Sequence, residues 1–286
     1  KYLSVLKVFS QLWKALRSKR YDLCYMTLTA KGSGFYKDFL MVLLLKAYKK
    51  NIIYHFHNKG VGESSKSRIN DVLYRFVFKN TRSIVLSKSL YQDVSKYVNE
   101  GRAYICANGV PDIGEKSLKQ NLESTENSTC KFLFLSNMMQ EKGVGVLLKA
   151  CKLLKERNVL FECHFIGAWS DITEEYFVTL TNTFKISDKV FAHGKKYSEE
   201  KNAFFCLADV FVFPTFYHNE CFPLVLLEAM QNGLPVITTP EGGISDLIYD
   251  GITGVLIPQR NVRALADAME QFSKNIALRV QMGAAG

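Results

Sequence analysis

Short apolar runs alternate along this chain with longer segments whose apolar positions recur at helical spacing. In the first half the runs predict strands at residues 21–27, 51–57, 83–86 and 102–106. Helical periodicity fills the gaps at 37–48, at 67–79 and from near Ser89. An Asn108-Gly109 turn closes this series. Residues 111–129 are polar and aperiodic, rich in Ser, Glu, Lys and Asn, and read as a linker. The pattern then restarts, with strands at 132–135, 161–166, 190–192, 210–213, 236–238 and 254–257. Helices are predicted between them at 144–157, around Tyr176 and Phe177, at 198–208, at 223–231, just after Gly242-Gly243, and at 262–272. A βα rhythm of this kind implies an α/β protein with a parallel, doubly wound sheet in each half. The expected domains are residues 1–120 and 121–286. Because the chain opens on Lys1 and closes on MGAAG inside a helical pattern, a fragment shortened at both ends is expected.

Charge separates the same two halves. Residues 1–120 hold 22 Lys and Arg against 8 Asp and Glu, whereas residues 121–286 hold 15 against 19. A basic half attracts phosphate-rich partners, either nucleic acid or an anionic membrane face. The longest apolar run, residues 39–45, is far too short to span a bilayer. Seven cysteines, an odd number scattered through apolar runs without a CxxC pair, read as reduced core thiols in a cytosolic protein.

In doubly wound sheets ligands collect beyond the carboxyl ends of the strands, so the loops there carry the candidate chemistry. Loop 136–143, SNMMQEKG, puts Lys142 at the edge of a helix N-terminus, where ammonium and dipole act together on phosphate. Loop 192–197, AHGKKY, follows another strand end, and backbone groups about Gly194 are candidates to hold a base; His193 there has no spacing that marks a ligand. The most informative stretch is NECFPLVLLEAMQNG, residues 219–233. Pro223 is expected at the first helical position and Gly233 at a left-handed stop. Phe222 offers no oxygen to cap the first-turn amides, leaving them for an anion or a sugar hydroxyl. Glu220 precedes this helix; Glu228 lies inside it, among apolar residues expected to be buried nearly all round. A carboxylate there is costly without partners, and a ribose diol would supply two donors.

Residues 219–258, with FLFLSNMMQEKGVGVLLKAC and CHFIGAW, resemble the donor-site signature of retaining glycosyltransferases of the family-4 type, the glycosyl transferases group 1. Glu220 and Glu228 match that family's E-x7-E motif, and YHFHN, IVLSKSL and ICANGVPD extend the resemblance into the first half. It implies the GT-B fold, two Rossmann-like domains facing across a cleft: an acceptor-side domain at 1–120, incomplete at its N-terminus, and a nucleotide-sugar donor domain at 121–286. It further implies that Glu228 holds the donor ribose. Glu220 would contact hydroxyls of the transferred sugar, with the backbone of Cys221, Phe222 and Pro223 near sugar and diphosphate. Lys142 would stabilise the diphosphate as the glycosidic bond breaks. His57 matches a histidine facing the reacting sugar, with His55 as the alternative match, and Asn108-Gly109 match a turn near the cleft. Ser136-Asn137 stand where the family often has Gly-Arg, so Asn137 donates only neutral hydrogen bonds to the diphosphate and more falls on Lys142.

No Asp-x-Asp metal motif is present. The resemblance implies transfer with retention and without metal or other cofactor, from a UDP- or GDP-sugar, and the lack of an obvious nucleophile fits front-face displacement. The expected acceptor is a glycan or lipid-linked glycan, in capsule, lipopolysaccharide or similar polysaccharide synthesis. The expected location is the cytoplasm and the inner face of the cell membrane, met by a basic, aromatic surface around residues 13–50. A nicotinamide oxidoreductase is disfavoured by the absence of G-x-G-x-x-G after an early strand. A nucleotide-sugar epimerase or hydrolase of the same fold is the nearest rival. A nucleic-acid-binding protein would leave both glutamates idle, and none is expected as a partner.

Overall fold

The structure is a computed structural model that describes residues 2–112 and 129–286, the side chains of residues 2–4 excepted. Contacts divide the chain into two units, one of residues 1–108 with 219–222 and the other of 109–218 with 223–286. The first division falls at Asn108-Gly109; position 120, the boundary expected from sequence, and most of the expected linker lie outside the described residues. Each unit has its own parallel sheet and its own core.

In the first unit β1 (Leu23–Met26), β2 (Asn51–His55), β3 (Arg82–Val85) and β4 (Ala103–Ile105) pair in chain order. Between and around them run α1 (Tyr2–Ser18), α2 (Gly32–Ala47), the single turn α3 (Val61–Ser64), α4 (Arg68–Phe78) and a second single turn, α5 (Lys88–Tyr91). Right-handed crossovers between successive neighbours place α2 and α4 on one face of the sheet, and α2 packs against both α1 and α4. Phe35, Val42, Tyr54, Tyr74 and Phe78 fill the core beneath them. The two buried phenols are satisfied, Tyr54 donating to the Val77 carbonyl and Tyr74 to that of Ala30. Helix α1 answers to no element read from the sequence. Its inner stripe of Val5, Phe9, Leu12 and Leu16 is blurred by exposed Leu6, Val8 and Trp13 on the other sides.

The second unit has six parallel strands: β5 (Cys130–Leu135), β6 (Phe161–Ile166), β7 (Val190–Ala192), β8 (Val210–Phe213), β9 (Val236–Thr238) and β10 (Gly254–Leu256). Their order is β10-β9-β8-β5-β6-β7, so successive strands add first to one side of β5 and then to the other. Among the described residues seven helices accompany them: α6 (Val144–Glu156), α7 (Glu174–Thr183), α8 (Ser198–Leu207), α9 (Leu224–Gln231), the single turn α10 (Ile244–Leu247), α11 (Val262–Lys274) and α12 (Ile276–Ala285). Central strands covered on both faces are nearly continuous in apolar residues; all four residues of β8 are buried, and Phe132, Phe134, Phe165, Phe211 and Phe213 form the middle of the core.

The stop of α9 is as expected. Gly233 is left-handed at φ +66°, and the amides of Gly233 and Leu234 return to the carbonyls of Met230 and Ala229. Helix α12 rests on this turn, since a Cβ at Gly283 would lie 2.1 Å from the Gly233 carbonyl oxygen. Gly283→Ala should therefore lower the urea midpoint by the equivalent of about 1–3 kcal/mol of overpacking. Gly101→Ala, where a Cβ meets no atom within 4 Å, should leave it nearly unchanged. Equal midpoints for the two variants would contradict the contact.

Candidate active site

The reversal of strand order in the second unit lies between β5 and β8, and a crevice opens at the carboxyl ends of such a pair. The loops at this edge are locked backbone to backbone. Gly167, just after β6, sits where a Cβ would be 1.7 Å from the Ser136 carbonyl oxygen, and its N–H donates to the Gly194 carbonyl at 2.9 Å. Gly143, left-handed at φ +89°, likewise admits the Pro214 carbonyl, which a Cβ would approach to 2.2 Å. The Phe216 amide donates to the Glu141 carbonyl at 2.8 Å, and the buried Thr239 hydroxyl donates to that of Thr215. Loops from five successive strands thus form one rigid rim.

Lys142 stands on this rim at the end of a single 3-10 turn (Gln140–Lys142), immediately before α6. Its Nζ lies 4.6 Å from the centre of the Tyr217 ring and 5.4 Å from that of Phe213. Aromatic faces attract an ammonium and fix its position. No side chain caps the start of α6 at Gly143, so its dipole adds positive potential beside the lysine. Asn137 is exposed, with its carbonyl taken by the Met139 amide. Gly194 is left-handed at φ +64°. Its neighbour His193, to which the sequence lent no partner, places Nε2 3.0 Å from His164 Nδ1, and both rings stack among Phe191 and Phe204.

Two expectations about α9 need correction. Pro223 is the cap and not the first helical residue: its ψ of 112° is extended, and the helix begins at Leu224. The start is uncapped by any side chain, as expected. Helix α9 is also not buried all round. Leu224 is exposed, Val225, Leu227 and Met230 are half-buried, and the Glu228 side chain keeps 27% exposure. Its carboxylate is met by Lys201 Nζ of α8 at 2.6 Å. The ion pair reduces the burial cost from which a ribose partner was argued. Lys201 was missed because adjacency of α8 and α9 depends on strand order, which local periodicity does not encode.

Glu220, 8% exposed, lies with buried Cys221 and Phe222 in the segment 219–222 that groups with the first unit. His57 is exposed, two residues beyond β2, with its ring centre 4.1 Å from that of His55. His55 Nδ1 meets the Tyr25 hydroxyl, and its Nε2 is buried without a hydrogen-bond partner among the described residues. Burial, and then the neighbouring His57, lower the pKa of His55. The cysteines also depart from expectation: Cys130, Cys151, Cys163 and Cys221 are buried, but Cys106 and Cys206 are exposed and Cys24 is half-buried.

The second unit is thus a doubly wound α/β unit with Lys142 and uncapped helix starts after its switch-point strands. Residues 116–286 match the family profile of the glycosyl transferases group 1, and the chain belongs to that family. It is similar to the amylovoran biosynthesis glycosyltransferase AmsK of Erwinia amylovora, 32% identical over 151 residues, which are 51% of this chain and 37% of that protein. It is also similar to the D-inositol 3-phosphate glycosyltransferase of an Arthrobacter species, 34% identical over 155 residues, or 54% of this chain and 36% of the relative. The matched stretch thus spans about a third of these curated relatives. Among solved structures, Anabaena Alr3699/HepE in complex with UDP and glucose superposes with a TM-score of 0.74 at 15% identity, covering 98% of this chain and 74% of that one. A Rickettsia africae glycosyltransferase gives 0.75 at 17% identity, covering 99% and 75%. At these identities the likeness establishes the fold, which is the GT-B type.

The histidine pair gives a pH dependence. Burial lowers the pKa of His164 against an opposing pull from Glu162; burial, His164 and Lys196 lower that of His193. On acidification the unfolded chain therefore takes up protons first. The stability this withholds is fully present above the ordinary histidine value of about 6.5 and is lost as pH falls below it. The melting temperature should drop from pH 7.5 to 5.5. The drop should shrink in His164→Gln/His193→Gln, with a remainder from His55. An unchanged drop in the double variant would assign the acid sensitivity elsewhere.

Proposed function

We propose that the chain forms the donor site and part of the acceptor side of a retaining, metal-independent glycosyltransferase. It would move a hexosyl group from a nucleotide-diphosphate sugar to a glycan or lipid-linked acceptor in polysaccharide synthesis, at the cytoplasmic face of the cell membrane. The observation that carries this reading is the β5–β8 switch point. There Lys142 and the uncapped starts of α6 and α9 follow adjacent strand ends, with Glu228 on the second helix. The complex of HepE with UDP and glucose and the amylovoran role in the name of AmsK support a nucleotide donor and a polysaccharide product.

In the proposed reaction the acceptor hydroxyl attacks the anomeric carbon on the face from which the diphosphate departs, and its proton passes to the leaving phosphate oxygen. Charge grows on the diphosphate, and preorganised cations and helix dipoles are most effective where charge develops. Lys142 is held for this by Tyr217 and Phe213, and Asn137 adds a neutral donor. Glu228 accepts from the ribose hydroxyls, with Lys201 holding it in position at 2.6 Å. Gly194 lies beside the base, and Glu220 and the backbone of Cys221, Phe222 and Pro223 receive the sugar.

A panel of UDP-, GDP- and ADP-sugars should raise the melting temperature for at least one base. Glu228→Ala should weaken that nucleotide about tenfold or more, the loss of a charged hydrogen bond. Lys142→Ala should lower turnover roughly 100-fold or more, as loss of a transition-state cation does. Lys201→Ala should raise KM for the donor with a smaller change in kcat. If no nucleotide stabilises the protein, or Glu228→Ala responds like the wild type, the donor site is wrongly assigned.

A further inference from the structure

Helices α2 and α4 each turn an apolar stripe to solvent. On α4 it consists of Ile69, Val72 and Phe76, which are 71%, 64% and 39% exposed; on α2 it consists of Tyr36, Leu40 and Leu43. Spacings of three and four residues keep each set on one helix face, opposite the buried sets that hold the helices to the sheet. The two stripes are continuous. Phe39 meets Phe76 edge-on with ring centres 5.8 Å apart, and the Tyr36 hydroxyl donates to Asn70 Oδ1 at 2.8 Å. An apolar patch of this kind on a charged unit marks a contact surface.

The rim of the patch is basic. Lys66, Arg68, Arg75 and Lys79 are exposed along and beside α4, and Lys46 Nζ lies 5.2 Å over the Phe76 ring at the seam. Two acids of these helices already have partners within the unit: Asp71 is held by Lys96, Tyr97 and the Nε of Arg75, whose guanidinium stays exposed, and Asp38 accepts from the Thr29 amide. A second copy laid on this face would set like charges against each other. Long basic stems around an apolar centre instead suit a surface offering both phosphate and hydrocarbon.

We propose that the outer face of α2 and α4 docks on an anionic bilayer. Ile69, Val72, Phe76 and Leu40 enter the headgroup boundary, and Arg68, Arg75 and Lys79 meet lipid phosphates. The surface shares α2 with the stretch 13–50 expected from sequence and adds α4, whose stripe is the more exposed. Among the described residues no helix is long and apolar enough to cross a membrane. The proposal extends the reading of a membrane-presented acceptor and is tested without donor or acceptor, so either can fail alone.

The test is co-sedimentation of the chain with phosphatidylcholine vesicles, with and without phosphatidylglycerol. The wild type should partition to the anionic vesicles, less so at high salt, and little to the neutral ones. Arg68→Glu with Arg75→Gln and Lys79→Glu should weaken partition roughly 100-fold or more. Ile69→Ser with Val72→Ser should weaken it while leaving the melting temperature and the nucleotide-induced shift in place. Equal partition to both vesicle types, or variants that bind like the wild type, would sink the proposal. So would a dimer that Ile69→Ser converts to monomer, which would make the face a contact between copies.

Discussion

The rim of the second unit depends on two places where one backbone touches another. At Gly167 and Gly143 the carbonyls of Ser136 and Pro214 occupy the space a side chain would take. These contacts draw the loops after β5, β6 and β8 to the spacing of the strands themselves, nearer than any pair of side chains would allow. Lys142 inherits its position from this. The residue ends a turn whose next residue is Gly143, and its ammonium is steadied by rings from β8 and the following loop. A cation fixed by backbone geometry and aromatic faces needs little reorganisation when charge appears beside it, which is the condition for electrostatic catalysis.

The arrangement of opposite charges follows the same economy. Glu228 sits on a half-buried helix and is answered by Lys201 from α8. A carboxylate in partial burial is stable when paired, and pairing with one cation leaves its acceptor capacity largely available to hydroxyl donors. In the proposed function the ion pair therefore does not compete with a ribose. It orients the group that would accept from one. The histidine pair differs, since burial lowers the pKa of both rings and so disfavours their charged forms.

Local periodicity disclosed most of the fold, since the apolar runs of β5, β8 and β9 are buried almost throughout and read plainly, and β6 and β7 keep short apolar runs between turn signals. The strand ends, the loops and Gly233 followed from the same signal. Four features did not. Helix α1 was hidden because apolar residues on its solvent sides obscure the inner stripe. The Lys201–Glu228 pair depends on which helices adjoin, a property of strand order. The near burial ascribed to Glu228 failed because this short apolar helix buries only Leu226 and Ala229 and keeps a flank open, as Leu224 shows. His164 and His193 meet across β6 and the end of β7, a cross-strand distance that no spacing along the chain reveals.

The two units spend their apolar residues differently, and the difference bears on function. In the second, large side chains close on one core, and most of the exposed ones stand singly. In the first, α2 and α4 bury one stripe each and expose another, although a polar outer face would fold as well and dissolve better. Folding does not require Ile69 or Val72 to be apolar. Nor does it require the strong basic excess of residues 1–120, whose mutual repulsion opposes compactness. The exposed stripe and part of that excess, Lys66, Arg68, Arg75 and Lys79, share one surface. A single partner that takes up hydrocarbon and returns negative charge removes both costs at once, and a bilayer rich in acidic lipid has that composition.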